Sequence, residues 1–415
     1  MNALGPLRWK LFSGVLFLGI CVVLNVFFFP AALRFPDETR FVKEAQSLVE
    51  TGEFRKDGAR AWEMPLSAIL YAAVLKIFPD EAQFIPAIRM LQSLLLLGAA
   101  AAISRLTWRL FGDRLASLVA WTVMLFYPFF LFYQSLLLSE TLFLALLSAA
   151  FCVLYEWIDT QKMSTLCTAS ALFGLATYTK ATLSIFPPVL FAVSLLAFPV
   201  SADLRRGMRY VLLGTCVYAA CLSPWWIRNA VLFSRFVPFT TSASWNLYLG
   251  NNPSNTRGGI DWSVDVDPEK VAEIHRAGDE LAVSDAFARE AKTFMKENPK
   301  AVFRLSLIKF VRFWNVFFNA KEFSSPFYNL VSLGSYGVIL LFALISTFVN
   351  RRRWRRFSPI FALVAIFTVL HMIVIASLRY RLPLEPFLIA LAAGPLAGIL
   401  RRRVPFFDAS EQRSI

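Results

Sequence analysis

Apolar residues in this chain come in long unbroken blocks, not in alternation with polar ones. The blocks fall at 9–33, 86–109, 115–134, 139–158, 163–180, 181–199, 209–229, 328–350, 357–377 and 384–400. Each is close to the roughly 20 residues that carry an α-helix across a bilayer. A transmembrane β-barrel would instead alternate apolar and polar positions. The expected fold class is an all-α polytopic membrane protein, a bundle of about ten or more transmembrane helices. The first block carries no charge from Leu11 to Leu33, which is longer than the roughly 7–15 apolar residues of a cleaved signal. It reads as a retained span, with Ala31-Ala32 only a weak cleavage signal.

Charge orients the bundle. Arg8 and Lys10 precede the first span, and ten spans return the C-terminus to the same side. The connecting pieces on that side hold "RLTWRLFGDR", "SADLRRGMRY", "NRRRWRRF" and "LRRRVPF". With the span ends they carry 18 Lys/Arg and 6 Asp/Glu, so +12 of the net +14 sits there. This is the cytoplasmic side by the positive-inside rule. The basic balance is thus topology, and a nucleic-acid partner is not expected. The chain is expected to cross its membrane many times, with membrane lipid as a partner.

Two segments on the outer side are large. The first, 34–85, contains "PLSAILYAAVLKIF" (65–78), apolar but short, which is expected to be a re-entrant or interfacial helix. The second, 230–327, opens with an irregular polar stretch, "TTSASWNLYLGNNPSNTRGG". A helix follows from "DPEKVAEIHRAG", with Asp267 as N-cap and Pro268 in the first turn. "AVFRLSLIKFVRFW" then reads as an amphipathic interfacial helix. The expected organisation is an N-terminal transmembrane module over 1–229 that includes loop 34–85. An outer segment over 230–327 follows, then C-terminal transmembrane helices and a cytoplasmic tail over 328–415.

Candidate chemistry gathers at the outer boundary. Asp37 and Glu38 in "FPDETRFVKEA" follow the first span, and Glu140 in "LLLSETLF" lies at the outer end of another. A carboxylate at such a place points to function. Helix capping is the open alternative for Asp37 and, through Ser139, for the start at Glu140. Arg40, Lys180, Arg228, Arg379 and Arg381 form a basic set at the same boundary, suited to a phosphate. Snorkelling to lipid headgroups is the other reading of each, and the plainer one for Lys180 and Arg379 taken singly. Asp265-Val266-Asp267 resembles a metal-binding DxD, but capping accounts for Asp267. Five cysteines lie in apolar blocks without a CxxC, and the two histidines, His275 and His371, are far apart in sequence. No disulfide framework, metal or cofactor is expected.

A first span followed by "PDETRF", an amphipathic helix and "TGEF" resembles the GT-C glycosyltransferases. The nearest branch is that of the protein O-mannosyltransferases and the bacterial lipid A aminoarabinose transferase. "EMPLSAILYAAVLKIF", "YPFFLFYQSLLLSETLFLALL", "GLATYTKAT", "SPWWIRNAVLFSRFVPF" and "RYRLPLEPFLIAL" continue the likeness in order. The resemblance implies a GT-C-type bundle with outer-face interfacial helices and a small outer segment. It implies transfer of a sugar from a polyprenyl-phosphate donor to a glycan, lipid or protein acceptor of the cell envelope at the outer face, lipopolysaccharide among them. Asp37 would be the catalytic base, with Glu38 and Glu140 as further acids. Arg40 and the other cations would hold the donor phosphate. The family has a lysine before its Pro-Pro-Leu; here that position is Glu63, followed by Met64. A lipid or polysaccharide transporter, or a polymerase or ligase using a lipid-linked oligosaccharide, is the alternative function.

Overall fold

The structure is a computed structural model that describes residues 4–28, 32–197, 204–259, 265–318 and 325–403. Ala31, the start of the arginine-bearing piece at 200–203 and the tail 404–415 lie outside the described residues. All named elements are helical; two residues, Lys56 and Ala59, form an isolated β-bridge.

Helix α1 (Leu4–Val23) is extended by a π-turn and is followed by α2 (Pro36–Glu50) and α3 (Leu66–Ile77). Long α4 (Glu81–Phe111) leads to α5 (Arg114–Phe126), short α6 (Pro128–Tyr133), α7 (Glu140–Thr160), α8 (Met163–Thr177), α9 (Phe186–Ser194) and α10 (Leu204–Phe233). Then come α11 (Ser242–Gly250), α12 (Pro268–His275), α13 (Glu280–Glu297) and α14 (Pro299–Trp314). The chain ends with α15 (Pro326–Ser332) continuing into α16 (Val338–Val349), α17 (Trp354–Ile373), one-turn α18 (Leu378–Arg381) and α19 (Glu385–Arg403).

Among the described residues, seven helical stretches are long and apolar enough to cross a membrane: Pro6–Val23, Glu81–Phe111, Glu140–Thr160, Arg205–Phe233, Pro326–Val349, Arg351–Ile373 and Leu378–Arg403. The remaining three apolar blocks fold as shorter helices. Block 115–134 breaks at Tyr127, held extended ahead of Pro128, because a residue before proline is pushed out of the helical region. Blocks 163–180 and 181–199 are cut short by the turn at 178–180 and by Pro187 in the first turn of α9.

The transmembrane core is built on phenylalanine. The Phe151 ring meets Phe173, Phe186 and Phe387 at centroid distances of 5.7, 6.4 and 4.5 Å. Helices α8 and α10 approach closely where a side chain at Gly174 would sit 2.7 Å from the Cys221 β-carbon.

Helix direction separates two ends. At one, the last turns of α4 and α7 meet the first turn of α17. Arg109 pairs with Glu156 at 2.8 Å and Asp159 at 2.7 Å, and Arg356 pairs with Asp159 at 2.6 Å. Arg401, in the last turn of α19, pairs with Asp113 at 2.8 Å. At the other end, α2 and α3 pack together through Phe41 and Tyr71, whose rings meet edge-on at 6.4 Å.

Part of the stretch expected to be irregular is helix α11. Trp245, Tyr248 and Leu249 share one of its faces and bury it against Phe287 of α13. Asp267 caps α12, accepting from the backbone N–H of Glu269 at 2.9 Å. Glu280 joins this segment to loop 51–65. It accepts from the backbone N–H of Arg60 and Ala61 at 2.6 and 3.0 Å, and from the Thr241 hydroxyl at 2.6 Å.

Candidate active site

Helix α2 begins without a side-chain cap. Phe35 is extended, Pro36 takes the first helical position, and Glu38 reaches back to the Arg34 and Phe35 N–H groups at 2.8 and 2.9 Å. The glutamate half of a capping box thus fixes the start. The second oxygen of Glu38 accepts from Leu137 N–H at 2.8 Å. Glu38 is wholly buried, and both its oxygens are engaged by backbone.

Asp37 is therefore released from capping. Its carboxylate pairs with Arg379, and with Arg40 at 3.2 Å. Burial would raise the Asp37 pKa, but Arg379 and Arg40 together outweigh it and hold the group below the usual carboxylate range. Arg40 in turn binds Glu63 at 2.6 Å. The acid that replaces the family's lysine thus closes on the arginine that the resemblance makes a donor contact.

Glu140 arrives on a pinned segment. Ser93 donates to Gln134, Arg89 to the Ser135 carbonyl, Gln92 to the Leu136 carbonyl and Tyr71 to the Leu138 carbonyl, all at 2.8–2.9 Å. With the Glu38 contact to Leu137, side chains from α2, α3 and α4 hold 134–138 in a fixed path. Ser139 makes no side-chain cap. Glu140, at the first position of α7, has no exposed side-chain surface and binds Lys180 at 2.8 Å and Arg379. Arg379 is the bridge, with Asp37 on one side and Glu140 on the other. Lys180 also lies over the Tyr380 ring at 5.9 Å, and Tyr380 stacks on His371 at 4.8 Å. Lys180 and Arg379 thus bind an internal carboxylate in place of snorkelling.

Two members of the expected basic set are not in this cluster. Arg381 is two residues from Arg379 on one-turn α18 and faces the bundle. It is fully buried, pairs with Glu385 at 2.9 Å and lies 3.3 Å from the centre of the Tyr336 ring. Arg228 bonds Asn229 at 2.8 Å and stacks on Trp225 at 4.6 Å.

Residue-by-residue reading missed Glu44. It lies one turn beyond Arg40 on α2 and is buried. Burial first, and then Glu63, push its pKa up to about 8. Its place at i+4 from Arg40 was the available signal. A polar cleft of about 360 Å³ runs along α2 past Lys43, Ser47, Arg55 and Lys56, but the Asp37 cluster does not line it. Among the described residues no three His, Cys, Asp or Glu side chains converge as a metal-ligand set.

The cluster has three carboxylates (Asp37, Glu63, Glu140) and three cations (Arg40, Lys180, Arg379). Asp37 keeps 37% of its side-chain surface exposed and Glu140 none. Of the two acids on Arg379, Asp37 is therefore the one accessible to a substrate hydroxyl, while Glu63, partly exposed, is held by Arg40; the cations beside them are placed to receive an anion.

Residues 63–227 match the model of the dolichyl-phosphate-mannose-protein mannosyltransferase family. No match is found among curated proteins. Among solved structures, the chain is similar to the Archaeoglobus fulgidus oligosaccharyltransferase in its apo form. The TM-score is 0.60 at 12% identity, over 98% of this chain and 52% of that one. The same archaeal enzyme, AglB, in complex with an inhibitory peptide and a dolichol-phosphate gives 0.56 at 14% identity, over 98% and 52%. ArnT from Cupriavidus metallidurans bound to undecaprenyl phosphate gives 0.47 at 15% identity, over 96% and 81%. The chain spans about half the length of the oligosaccharyltransferase it matches.

Proposed function

From a chain with the GT-C fold of membrane glycosyltransferases, we propose an enzyme that transfers a sugar from a polyprenyl-phosphate carrier to a hydroxyl of an envelope acceptor. The observation that carries this reading is the Asp37–Arg379–Glu140–Lys180 cluster, a partly exposed carboxylate beside cations at one end of the bundle. The dolichol-phosphate held by the archaeal oligosaccharyltransferase of similar fold supports a lipid-phosphate donor. The cluster lies opposite the arginine-rich end, so the positive-inside rule turns it to the outer, periplasmic face of a bacterial cell membrane.

The chemistry is a single displacement. The acceptor oxygen attacks the anomeric carbon, the bond from that carbon to the phosphate oxygen breaks, and configuration inverts. Asp37 takes the hydroxyl proton. The phosphate leaves with the electron pair, and its charge is held by Arg40, Arg379 and Lys180. In the free protein the two arginines make Asp37 a weak base. A donor phosphate that draws them to itself restores the basicity of Asp37, so the base strengthens when the donor is in place. Glu38 holds the geometry through backbone contacts.

The test offers the purified protein a synthetic polyprenyl-phosphate sugar and a soluble nucleotide sugar, each with a crude envelope acceptor. Transfer is expected from the lipid-linked donor alone. Transfer from the nucleotide sugar, with none from the lipid, overturns the reading.

A further inference from the structure

Helix α14 buries a cation and exposes its apolar side chains. Phe303, Leu307, Phe310 and Val311 are 43–67% exposed, as on a helix lying in a membrane surface. The opposite face carries Lys309, which has no exposed surface. Among the described residues no carboxylate pairs with its ammonium, which donates to the Asn251 side-chain oxygen and the Ile373 carbonyl, each at 3.1 Å. Burial alone acts on it and pushes its pKa down to about 8. A lysine at an interface ordinarily snorkels to water, and a methionine would fill this space without the cost of desolvating a charge.

The partners of Lys309 account for that cost. Ile373 is the last residue of α17, where carbonyls lack helical partners and the helix dipole favours a cation. Lys309 and the Asn251 amide, the latter at 2.9 Å, both donate to its carbonyl. Gly250 closes on the next residue, since a β-carbon there would overlap the Val374 carbonyl oxygen. The capping is reciprocal. Arg381, just past α17, donates to the carbonyls of Phe313 and Asn315 at the end of α14, at 3.3 and 2.7 Å. Between the two caps the rings of Phe313, His371 and Tyr380 stack at 5.4 and 4.8 Å. His371 Nδ1–H donates to the Ile375 carbonyl at 2.8 Å. Residues 374–380 are thus held at both ends and in the middle, and Arg379 is among them. Resting on the sugar-transfer reading, we propose that Lys309 is a positioning residue. By tying α14 to the end of α17 it fixes the turn that places Arg379 between Asp37 and Glu140, and with it the contact of Arg379 to the donor phosphate. Lys309 itself is bonded to neither carboxylate.

Hydrogen–deuterium exchange and steady-state kinetics of the full chain test this with Lys309→Met, which keeps the bulk of the side chain and leaves Ile373 its Asn251 partner. Exchange of the 374–380 amides is expected to quicken, with α4, α7 and α19 unchanged. With a synthetic polyprenyl-phosphate sugar at fixed acceptor, the donor KM is expected to rise about tenfold, as for one lost charge-assisted contact. General destabilisation would instead lower the apparent kcat at unchanged KM. Phe313→Leu breaks the ring stack within an apolar site. It is expected to give the same pair of changes, and it decides the matter if Lys309→Met is not monodisperse. Native exchange in the turn, faster exchange throughout the bundle, or an unchanged donor KM overturns the proposal. If the native protein is itself inert toward the lipid-linked donor, the sugar-transfer reading falls, and the exchange alone decides whether Lys309 holds the turn.

Discussion

Asp37 is the residue on which the proposed chemistry turns, and the start of α2 allows a clean test. Because Pro36 and Glu38 set that start, Asp37→Asn leaves the helix intact while removing the base. Its turnover is expected to fall by at least about 100-fold, the lower range for a general base. Its KM for the lipid donor is expected not to rise, because Arg379 and Arg40 lose a competing anion. Steady-state kinetics with a synthetic donor separates the two effects, and near-native turnover would leave Asp37 a partner of Arg379 only. Glu44 makes a second expectation. In the fold it keeps its proton to about pH 8, against an ordinary value of 4.5. Between those values the folded chain binds more protons than the unfolded one, so this group's contribution to stability falls as pH rises and reaches its full cost above about pH 8. Glu44→Gln is therefore expected to raise thermal stability at pH 8, on the order of a few kcal/mol, and to lose the advantage toward pH 4.5. A gain that does not change with pH would show that Glu44 does not titrate in this range. At this scale the sequence singled out Asp37, Arg40, Glu140, Lys180 and Arg379, which meet. It did not separate Arg379 from Arg381, because two residues apart in an unassigned single turn gives no hint of which one faces inward.

Elements explain how a buried carboxylate is held at the mouth of the site. Segment 134–138 is not helical throughout, yet five of its residues are fixed by side chains from three helices. Glu38 is the member that also starts α2, so it sets Asp37 and Glu140 relative to each other. Glu38→Gln keeps one acceptor oxygen but turns an amide donor toward the backbone, leaving an N–H without its partner. The expected cost is about 1–3 kcal/mol of stability, together with a lower kcat. Thermal unfolding beside kinetics checks this: Asp37→Asn should lose far more activity than stability, its stability cost being that of its ion pairs with Arg379 and Arg40, whereas Glu38→Gln should lose both. A fully stable Glu38→Gln variant with native kcat would remove the positioning role. The long apolar helices were legible because block length alone sets them. Helix α11 was not, because serine, asparagine and glycine mask an apolar face that exists only when α13 is beside it. The break at Tyr127 was written in Pro128, but the length of the apolar block hid it.

For the whole molecule, the decisive question is which way the bundle faces, since the donor argument depends on it. The arginines of 351–356 and 401–403 lie at the end away from Asp37, and the segment after α10 folds against loop 51–65 through Glu280 and Thr241. If the positive-inside rule orients this chain, Ser254 and Thr256 are on the outer side and Arg352 is on the cytoplasmic side. All three positions are exposed in the fold, so a single cysteine at each reports sidedness without a burial artefact. Exposed Cys216 is first changed to serine to remove a competing thiol. Intact cells treated with a membrane-impermeant maleimide are expected to label Ser254→Cys and Thr256→Cys, and Arg352→Cys only after lysis. Labelling of all three from outside would break the alternation of spans. Labelling of Arg352→Cys alone would turn the Asp37 cluster toward the cytosol. A nucleotide-sugar donor would then be accessible to it, and the case for a lipid-linked donor would have to stand on the fold alone.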